Sequence, residues 1–370
     1  MKRLSLFVAH VAVLVCLCLP AHAFLSYGAG NAVPPGAALD AQTVRAERVR
    51  DAGQLPGGPL AEGVVGDFVL KNNRVAFTVA GVRPGSGENV FGGVVEDAAL
   101  LRTEFDGTQR WYNAMGTGGV FPIFYEGSEP LIGMRVFAPK KAEILKDGSD
   151  GQAIVRVQGI DATFATLADM LQRSPSAIRI VITIDYILRP DSDTLQIRTT
   201  IENRSKKAKS VNMGYGILVG DGVRPFAPGP GFDSGAFSKN GPYPFIGAGG
   251  PSVSYAWYGS SGAIQVMQIL SKHIITQFDT LRAKSGETDT VSHYWTVGNG
   301  SISSAAGTVY AMQSDVGTGT VSGKVLTASG KTASDTVVSV LDADGDYITM
   351  ALPQRRTGAY SLELQPGSYT

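Results

Sequence analysis

The clearest strand pattern in the sequence is "AIRIVITIDYILRPDSDTLQIRTTIEN", which runs from residue 177 to residue 203. The apolar residues that alternate in its first half are Ile178, Ile180, Ile182, Ile184 and Tyr186. After the turn sequence "RPDSD", the matching set is Leu195, Ile197, Thr199 and Ile201. Successive side chains of a strand point to opposite faces, so this period of two predicts two antiparallel strands with one buried and one solvated face.

Other stretches repeat this pattern. "GDFVLKNNRVAFTV" (66–79) predicts a hairpin around Asn72-Asn73, since Asn tolerates the positive φ of tight turns. Further strands are predicted at 252–259, 262–270 and 289–298. The chain contains 46 glycines, which indicates many turns between short strands. The sequence therefore predicts an all-β fold.

The remaining segments predict little regular structure. Residues 24–60 are rich in Gly, Pro and Ala and are interpreted as an N-terminal arm with a short helix from Asp40 to Asp51. One internal helix is predicted near Asp161 to Gln172, ahead of Pro175. Residues 221–252 form a long segment without a period, and long loops of this kind often bind ligands or act as lids.

The N-terminus predicts export. Lys2 and Arg3 precede an apolar run that is too short to span a bilayer, and Ala21-His22-Ala23 forms an A-x-A cleavage site, so residues 1–23 are interpreted as a signal peptide. Both cysteines lie within it, which excludes disulfides and thiol catalysis in the mature chain. Cleavage leaves 30 basic and 32 acidic residues, a balance that argues against nucleic-acid binding. We expect a periplasmic or extracellular protein without membrane attachment after cleavage.

The last fifty residues form a separate unit. It opens with Gly323-Lys324-Val325, continues through a turn at Asp344-Gly345-Asp346 and closes with "GAYSLELQPGSYT" (358–370). This pattern resembles the carboxypeptidase regulatory-like module of the carbohydrate-binding-like fold group. The resemblance implies a small Ig-like or prealbumin-like β-sandwich. Because that family continues past the G-x-Y motif, we expect the module to be incomplete and the sequence to be a fragment.

The order of motifs along the whole chain also resembles the order found in a known family of proteins. The motifs are the export signal, "GDFVLKNNRV", "GGVVEDAAL", "YILRPDSDTLQIRTTIEN", "FAPGPGF" and "PSVSYAW". They are similar to the N-terminal part of exported PHP-domain (CehA/McbA-like) metallohydrolases. The first domain is also similar to the galactose-mutarotase-like supersandwich. The PHP resemblance implies a covalently linked downstream catalytic domain, with divalent metals bound only there.

The residues present contain little of the chemistry that catalysis needs. The mature chain has two histidines, His273 and His293, and no H-x-H pair, so we expect no metal, no cofactor and no catalytic residue here. A mutarotase would need a histidine paired with a carboxylate in a sugar cleft, and Asp185 or Glu202 are the candidate partners. The "DADGD" sequence at 342–346 is interpreted as a plain turn rather than a calcium loop.

Aromatic residues supply the only candidate binding site. Rings can stack on the C–H faces of sugars, although strands of a sandwich also bury aromatics in their core. The candidate ligand-stacking residues are Trp111, Tyr112, Tyr243, Tyr255, Trp257 and Trp295. Their ligand would be an extracellular or cell-wall carbohydrate.

Together these observations predict a large antiparallel β-sandwich, supersandwich-like, over residues 61–312. A linker at 313–320 and a truncated small β-sandwich at 321–370 follow. Three functions remain open. The chain is a non-catalytic N-terminal portion of an exported PHP-type hydrolase, an exported carbohydrate-binding or adhesion module, or a mutarotase-like sugar-active enzyme.

Overall fold

The computed structural model describes residues 29–34, 37–85, 91–128, 133–164, 176–260, 263–270, 273–313, 316–333 and 336–370. Strands make up 53% of the described residues and helices 7%, which confirms the predicted all-β fold class. The predicted signal peptide lies outside the described residues.

The segment predicted as an arm contributes to the sheet. Its strands are β1 (Ala29–Ala32) and β2 (Val44–Arg48), and a single 3-10 turn follows at Ala52–Gln54. The helix predicted from Asp40 to Asp51 is therefore wrong. Val44 and Ala46 are buried while Arg45 and Arg48 are exposed, and this period of two fits a strand rather than a helix.

The predicted hairpin is confirmed in the next group of strands. This group comprises β3 (Phe68–Asn72), β4 (Val75–Val79), β5 (Val95–Thr103), β6 (Gln109–Asn113) and β7 (Met115–Tyr125). The Asn72 side chain holds the hairpin turn, because its Oδ1 accepts from the backbone N–H groups of Arg74 and Val75 at 2.8 Å and 2.9 Å.

The strand pair that the opening stretch predicts is also confirmed. The central strands are β8 (Arg135–Asp147), β9 (Ala153–Thr163), β10 (Ile180–Leu188), β11 (Thr194–Asn203) and β12 (Lys209–Val219). β10 and β11 are antiparallel, with Ile182 opposite Ile201. The helix predicted near Asp161 fails at its start, since β9 extends to Thr163. Its part from 165 to 172 lies outside the described residues.

The segment 221–252 is tied into the core rather than free. Its elements are β13 (Arg224–Phe226), a 3-10 turn (Ser234–Ala236), α1 (Phe237–Asn240) and β14 (Ile246–Gly249). Phe226, Phe237 and Phe245 are each 0% exposed, so the aromatic residues of this segment stabilise the fold.

The three strands predicted at 252–298 are present. The strands of this region are β15 (Ser254–Gly259), β16 (Gln265–Leu270), β17 (His273–Gln277), β18 (Asp279–Ala283) and β19 (Thr288–Gly298). Every strand pair among the described residues is antiparallel.

The first nineteen strands fold into two packed layers. One layer has the order β8-β9-β10-β11-β19-β15-β14-β13. The other contains β2 to β5 and the group around β7 and β12, and its strands β2 and β3 pack on β8, β9 and β10. One continuous apolar core fills the space between the layers.

A helix that the sequence analysis missed follows the large sandwich. α2 (Ile302–Gln313) buries Ile302, Ala305, Ala306 and Val309 against β15 and β19. Its buried side consists mostly of small residues, which gives a weak hydrophobic signal in the sequence. Of the helices in the described part of the chain, none combines the length and the apolarity that a membrane crossing requires.

The last unit consists of two two-stranded sheets. They pair β20 (Gly319–Lys324) with β23 (Ala359–Leu364), and β21 (Val338–Leu341) with β22 (Tyr347–Ala351). Its own core is small and consists of Val340, Ala351, Leu362 and Leu364, with partly buried neighbours around them.

This unit is docked on the large sandwich through α2 and the 221–252 segment. Tyr310 on α2 donates its hydroxyl to the backbone oxygen of Ile348 at 3.3 Å. Gly229 and Tyr347 exchange two backbone hydrogen bonds of 2.7 Å and 3.0 Å. The segment 313–320, predicted as a linker, includes the last residue of α2 and the first residues of β20.

Candidate functional site

The outward side chains of the central strands form regular polar rows. Because the registers of β9, β10, β11 and β19 are continuous, Gln158, Thr183, Thr200 and Thr290 lie side by side across the sheet. Gln158 Nε2 donates to Thr183 Oγ1 at 3.3 Å, and the hydroxyls of Thr200 and Thr290 are 2.8 Å apart. The row thus presents hydroxyl and amide groups to solvent without any core function.

An open groove runs over this part of the sheet and has a volume of about 400 Å³. It is lined by Lys140, Lys141, Gln158, Gly159, Ile160, Val181, Thr183, Thr200, Glu202, Arg204 and Thr288. These residues come from β8, β9, β10, β11 and β19, with Arg204 directly after β11. Neighbouring strands lie about 4.8 Å apart, so the groove extends roughly 19 Å across the sheet.

Charged side chains stand at both sides of the groove. Lys141 Nζ pairs with Glu143 Oε1 at 2.7 Å, and Arg204 Nε pairs with Glu202 Oε1 at 3.0 Å. Both pairs are solvent-exposed and add little to stability. The exposed Lys140 forms no ion pair with any residue in the part of the chain that the structure describes.

The adjacent row of the sheet carries a triad of charges. Asp185 is buried and accepts from Arg156 Nε at 2.6 Å and from Arg198 Nη2 at 2.7 Å. Burial raises the pKa of Asp185, but the hydrogen bonds from the two guanidinium groups outweigh it and hold the pKa below its usual range. Glu143 on β8 lies opposite Arg156 in the same row, so the row alternates two acids with two arginines.

The histidines do not form the arrangement predicted for a mutarotase. His293 is 1% exposed, and its ring nitrogens lie 2.9 Å from the hydroxyl of Tyr215 and 2.9 Å from Asp279 Oδ2. Asp185 is paired with arginines instead, and Glu202 with Arg204. The candidate partnership of His293 with either acid is therefore wrong. His273 lies at the start of β17, opposite Leu218.

The six rings proposed as a stacking platform are all buried. Their exposed fractions are Trp111 8%, Tyr112 3%, Tyr243 3%, Tyr255 0%, Trp257 2% and Trp295 0%. Trp257 and Trp295 lie 5.5 Å apart between ring centroids, and Phe77 packs edge-on against Trp295. Five of the six belong to apolar core clusters, all except Tyr112, so the stacking hypothesis needs correction.

A second group of charges is buried at the start of the large sandwich. Arg83 donates to Asp67 Oδ1 at 2.9 Å and also pairs with Glu96, while Asp97 accepts from Asn113 at 2.8 Å. Burial raises the pKa of Glu96 to about 8, although the Arg83 charge acts against this shift. Burial likewise raises the pKa of Asp97 to about 6. Within the described residues, no group of three or more His, Cys, Asp or Glu is arranged to hold a metal ion.

The groove residues were only partly visible in the sequence. The alternation in 177–203 already places Thr183, Thr200 and Glu202 on the solvated face. Lys140 and Gln158 belong to strands that the sequence analysis did not predict, and a β-bulge between Pro139 and Lys141 changes the register there. Only the pairing of β8, β9 and β10 brings these side chains together.

Comparison with known proteins finds no matching family model and no matching curated protein. A TPR-domain containing protein from Parabacteroides distasonis is 11% identical with a TM-score of 0.40, and the match covers 62% of this chain and 46% of that one. Galactose 1-epimerase from Lactobacillus acidophilus is 11% identical, with a TM-score of 0.37 and coverage of 70% and 99%.

A galactose mutarotase-like protein from Clostridium acetobutylicum is 10% identical, with a TM-score of 0.33 and coverage of 63% of this chain and 95% of that one. Scores of this size mark only partial overlap of the backbones. The assignment as a β-sandwich rests on the strand pairing itself.

Proposed function

We propose that this chain is a non-catalytic, exported β-sandwich that binds carbohydrate in the groove over β8–β11 and β19. The observation that carries the proposal is the row of Gln158, Thr183 and Thr200 along its floor, which Thr290 continues on β19 beyond the groove lining. Sugar hydroxyls both donate and accept hydrogen bonds, and amide and hydroxyl side chains do the same.

The dimensions of the groove favour an oligosaccharide over a single sugar. Its volume of about 400 Å³ lies within the range of roughly 300–1,000 Å³ that is usual for small-ligand sites. It is open along its length and crosses five strands, so a chain of sugars can lie along it. Ile160, which is 41% exposed, and the half-buried Val181 supply an apolar floor for the C–H faces of the rings.

Replacement of the floor hydroxyls tests the proposal. In the double variant Thr183→Val and Thr200→Val, the β-branched shape is kept and only the hydroxyls are lost. We expect at least a tenfold weaker affinity for the glycans that the unmodified protein binds on a glycan array, measured by calorimetry. Thr103→Val, on the exposed end of β5, is the matched control and should bind normally. Unchanged affinity in the double variant would contradict the proposal.

The place of this domain in a longer exported PHP-type metallohydrolase is part of the same proposal. It is supported by the order of the sequence motifs quoted above. The reading frame beyond Thr370 tests it. We expect an H-x-H motif within a downstream domain rich in Asp and Glu, and a stop codon directly after Thr370 would contradict it.

A mutarotase activity is the weaker alternative. His293 is enclosed by Tyr215, Asp279 and Phe278, and its ring is 2% exposed, so a sugar in the groove does not contact it. Polarimetry of freshly dissolved α-galactose would reveal such an activity. We expect the rate of anomer interconversion to be the same with and without the protein.

A further inference from the structure

We infer that the groove selects acidic saccharides, whose carboxylate groups are bound by Lys140, Lys141 and Arg204. This inference rests on the proposed function and names the substrate class of the same site. It begins from the charges on the outer face of β8–β11, where an excess of basic residues stands out against a chain of formally balanced charge.

The outer face carries more basic than acidic groups. The basic residues on it or at its edge are Lys140, Lys141, Arg156, Arg198 and Arg204, and the acidic ones are Glu143, Asp185 and Glu202. Each acid is engaged by one or two of these bases. Among the described residues of this face, five bases therefore stand against three acids.

The geometry separates two cationic positions along the groove. Lys140 and Lys141 enter from β8 at one side, and Arg204 stands at the other side after β11. β8 and β11 are separated by β9 and β10, so these positions lie roughly 14 Å apart at a strand spacing of about 4.8 Å. Two cations at this separation suit a polymer that carries an acid at regular intervals rather than a single small anion.

The exposed ion pairs of the groove can exchange partners at little cost. Lys141 is 59% exposed and Arg204 is 63% exposed, and surface pairs of this kind contribute only about 0–1 kcal/mol. A ligand carboxylate therefore competes readily with Glu143 and Glu202. Arg204 already donates two hydrogen bonds to Glu202, from Nε at 3.0 Å and from Nη2 at 3.2 Å, and a ligand carboxylate would take over this two-bond geometry.

A matched pair of polymers tests the inference in the full chain. Oligogalacturonate and the same oligomer with its carboxylates reduced to alcohols differ only at C6, where a hydroxymethyl group replaces the charged carboxylate. We expect the acidic oligomer to bind at least tenfold more tightly at low salt, with the difference falling as ionic strength rises. In the double variant Lys140→Ala and Lys141→Ala, the acidic oligomer should bind no more tightly than the reduced oligomer does to the same variant.

The controls separate the failure of the inference from the failure of the proposed function. Lys324→Ala with Lys331→Ala removes two exposed lysines of the C-terminal unit and should change nothing. Equal affinity for both oligomers, lost in Thr183→Val with Thr200→Val, would overturn the acidic preference and leave carbohydrate binding intact. Binding of neither oligomer would overturn the acidic preference, and absence of binding to every glycan of the array would overturn the proposed function as well.

Two further ligands test whether the site prefers carboxylates to sulfates and phosphates. Dextran sulfate presents sulfates on a neutral backbone, and a single-stranded oligothymidylate presents phosphates without a pyranose. We expect oligogalacturonate to bind at least fivefold more tightly than either at equal charge. Equal or tighter binding of the oligothymidylate would show a general polyanion site and overturn the inference.

Discussion

Arg156 donates two hydrogen bonds to the carboxylate of Asp185, from Nε at 2.6 Å and from Nη2 at 2.8 Å. Both residues lie in the row of the sheet next to the groove. Arg198 adds a third bond to the same carboxylate. The carboxylate therefore holds two arginine side chains in place on the outer face, which links the stability of the sheet to the charge beside the groove.

Asp185→Asn should destabilise the protein at neutral pH. The pKa of Asp185 is lowered in the folded state, so its contribution is present above the ordinary pKa of 3.8 and is lost as the pH falls through the lower folded pKa. We expect the free energy of unfolding to drop by about 1–2 kcal/mol at pH 7, since both arginines are partly exposed. Urea titrations at pH 7 and pH 3 measure this difference.

The comparison needs a control on an exposed acid. Asp150→Asn removes the partner of Lys146 in a solvent-exposed pair and should leave the unfolding midpoint unchanged. A loss at pH 3 as large as the loss at pH 7 in Asp185→Asn would show that the effect is steric rather than electrostatic.

Glu96→Gln should make the protein more resistant to alkaline pH. Burial raises the pKa of Glu96 from 4.5 to about 8, so the native state favours the neutral acid and stability falls as pH rises through this interval. Gln mimics the neutral form, and we expect the variant to exceed the unmodified protein by up to about 2 kcal/mol at pH 9. Thermal unfolding between pH 5 and pH 9 tests this.

An exposed acid again provides the control. Glu143→Gln should give a stability curve parallel to that of the unmodified protein. If Glu96→Gln is less stable at every pH, Glu96 is ionised throughout and its ion pair with Arg83 stabilises the fold.

His293→Phe should lower the stability of the fold without changing the saccharide affinity of the groove. The substitution leaves the buried Tyr215 hydroxyl without its imidazole partner and removes the contact with Asp279, at a cost of about 1–3 kcal/mol. Saccharide affinity, measured below the unfolding transition, should stay within twofold of the unmodified value. A selective loss of affinity in a folded variant would place His293 in a ligand site.

The C-terminal unit should exchange its amide hydrogens faster than the large sandwich. Most of β20 is exposed and β23 is its single partner strand among the described residues, whereas β11 is paired on both sides by β10 and β19. Mass-spectrometric hydrogen exchange should show fast exchange in Gly319–Lys324 and slow exchange in Thr194–Asn203. Equal protection in the two strands would contradict this.

The contact between Tyr347 and the 221–252 segment should slow amide hydrogen exchange in β22. A Cβ at Gly231 would come within 2.6 Å of the Tyr347 ring, so the two surfaces fit closely. Tyr347→Ala is expected to speed exchange in β22 and leave β10 and β11 unchanged. Tyr360→Ala, on β23, is the comparison variant, since it leaves the contact with Gly229 and Gly231 in place.

The sequence predicts the sheet better than it predicts the site. Alternation alone identifies β10 and β11, because one face of each is buried and the other is solvated. The segment that forms β2 is predicted as helix, and Arg45 and Glu47 favour helices over strands; only the pairing with β3 makes this segment a strand. α2 was missed because its buried side is made of small residues.

The groove depends on register, which local sequence does not specify. Thr183 and Thr200 are opposite each other through one hairpin, but Lys140 reaches them only across β8, β9 and a bulge. For the aromatic residues, the sequence predicts a binding site that the structure does not contain in the described residues. Tyr255, Trp257 and Trp295 have the composition of a sugar platform, yet a two-layer sandwich buries such rings between its sheets.

Hydroxyl-radical footprinting with and without oligogalacturonate shows whether the ligand lies in the groove, because it reports the solvent access of individual side chains. Ile160 is 41% exposed inside the groove, whereas Leu326 is 54% exposed on the C-terminal unit and Phe105 is 68% exposed elsewhere. We predict that saturating ligand lowers the modification of Ile160, Lys140 and Val181 at least threefold and leaves Leu326 and Phe105 unchanged. Binding without any protection of Ile160, or with equal protection of Phe105, would contradict the assignment of the groove as the ligand site.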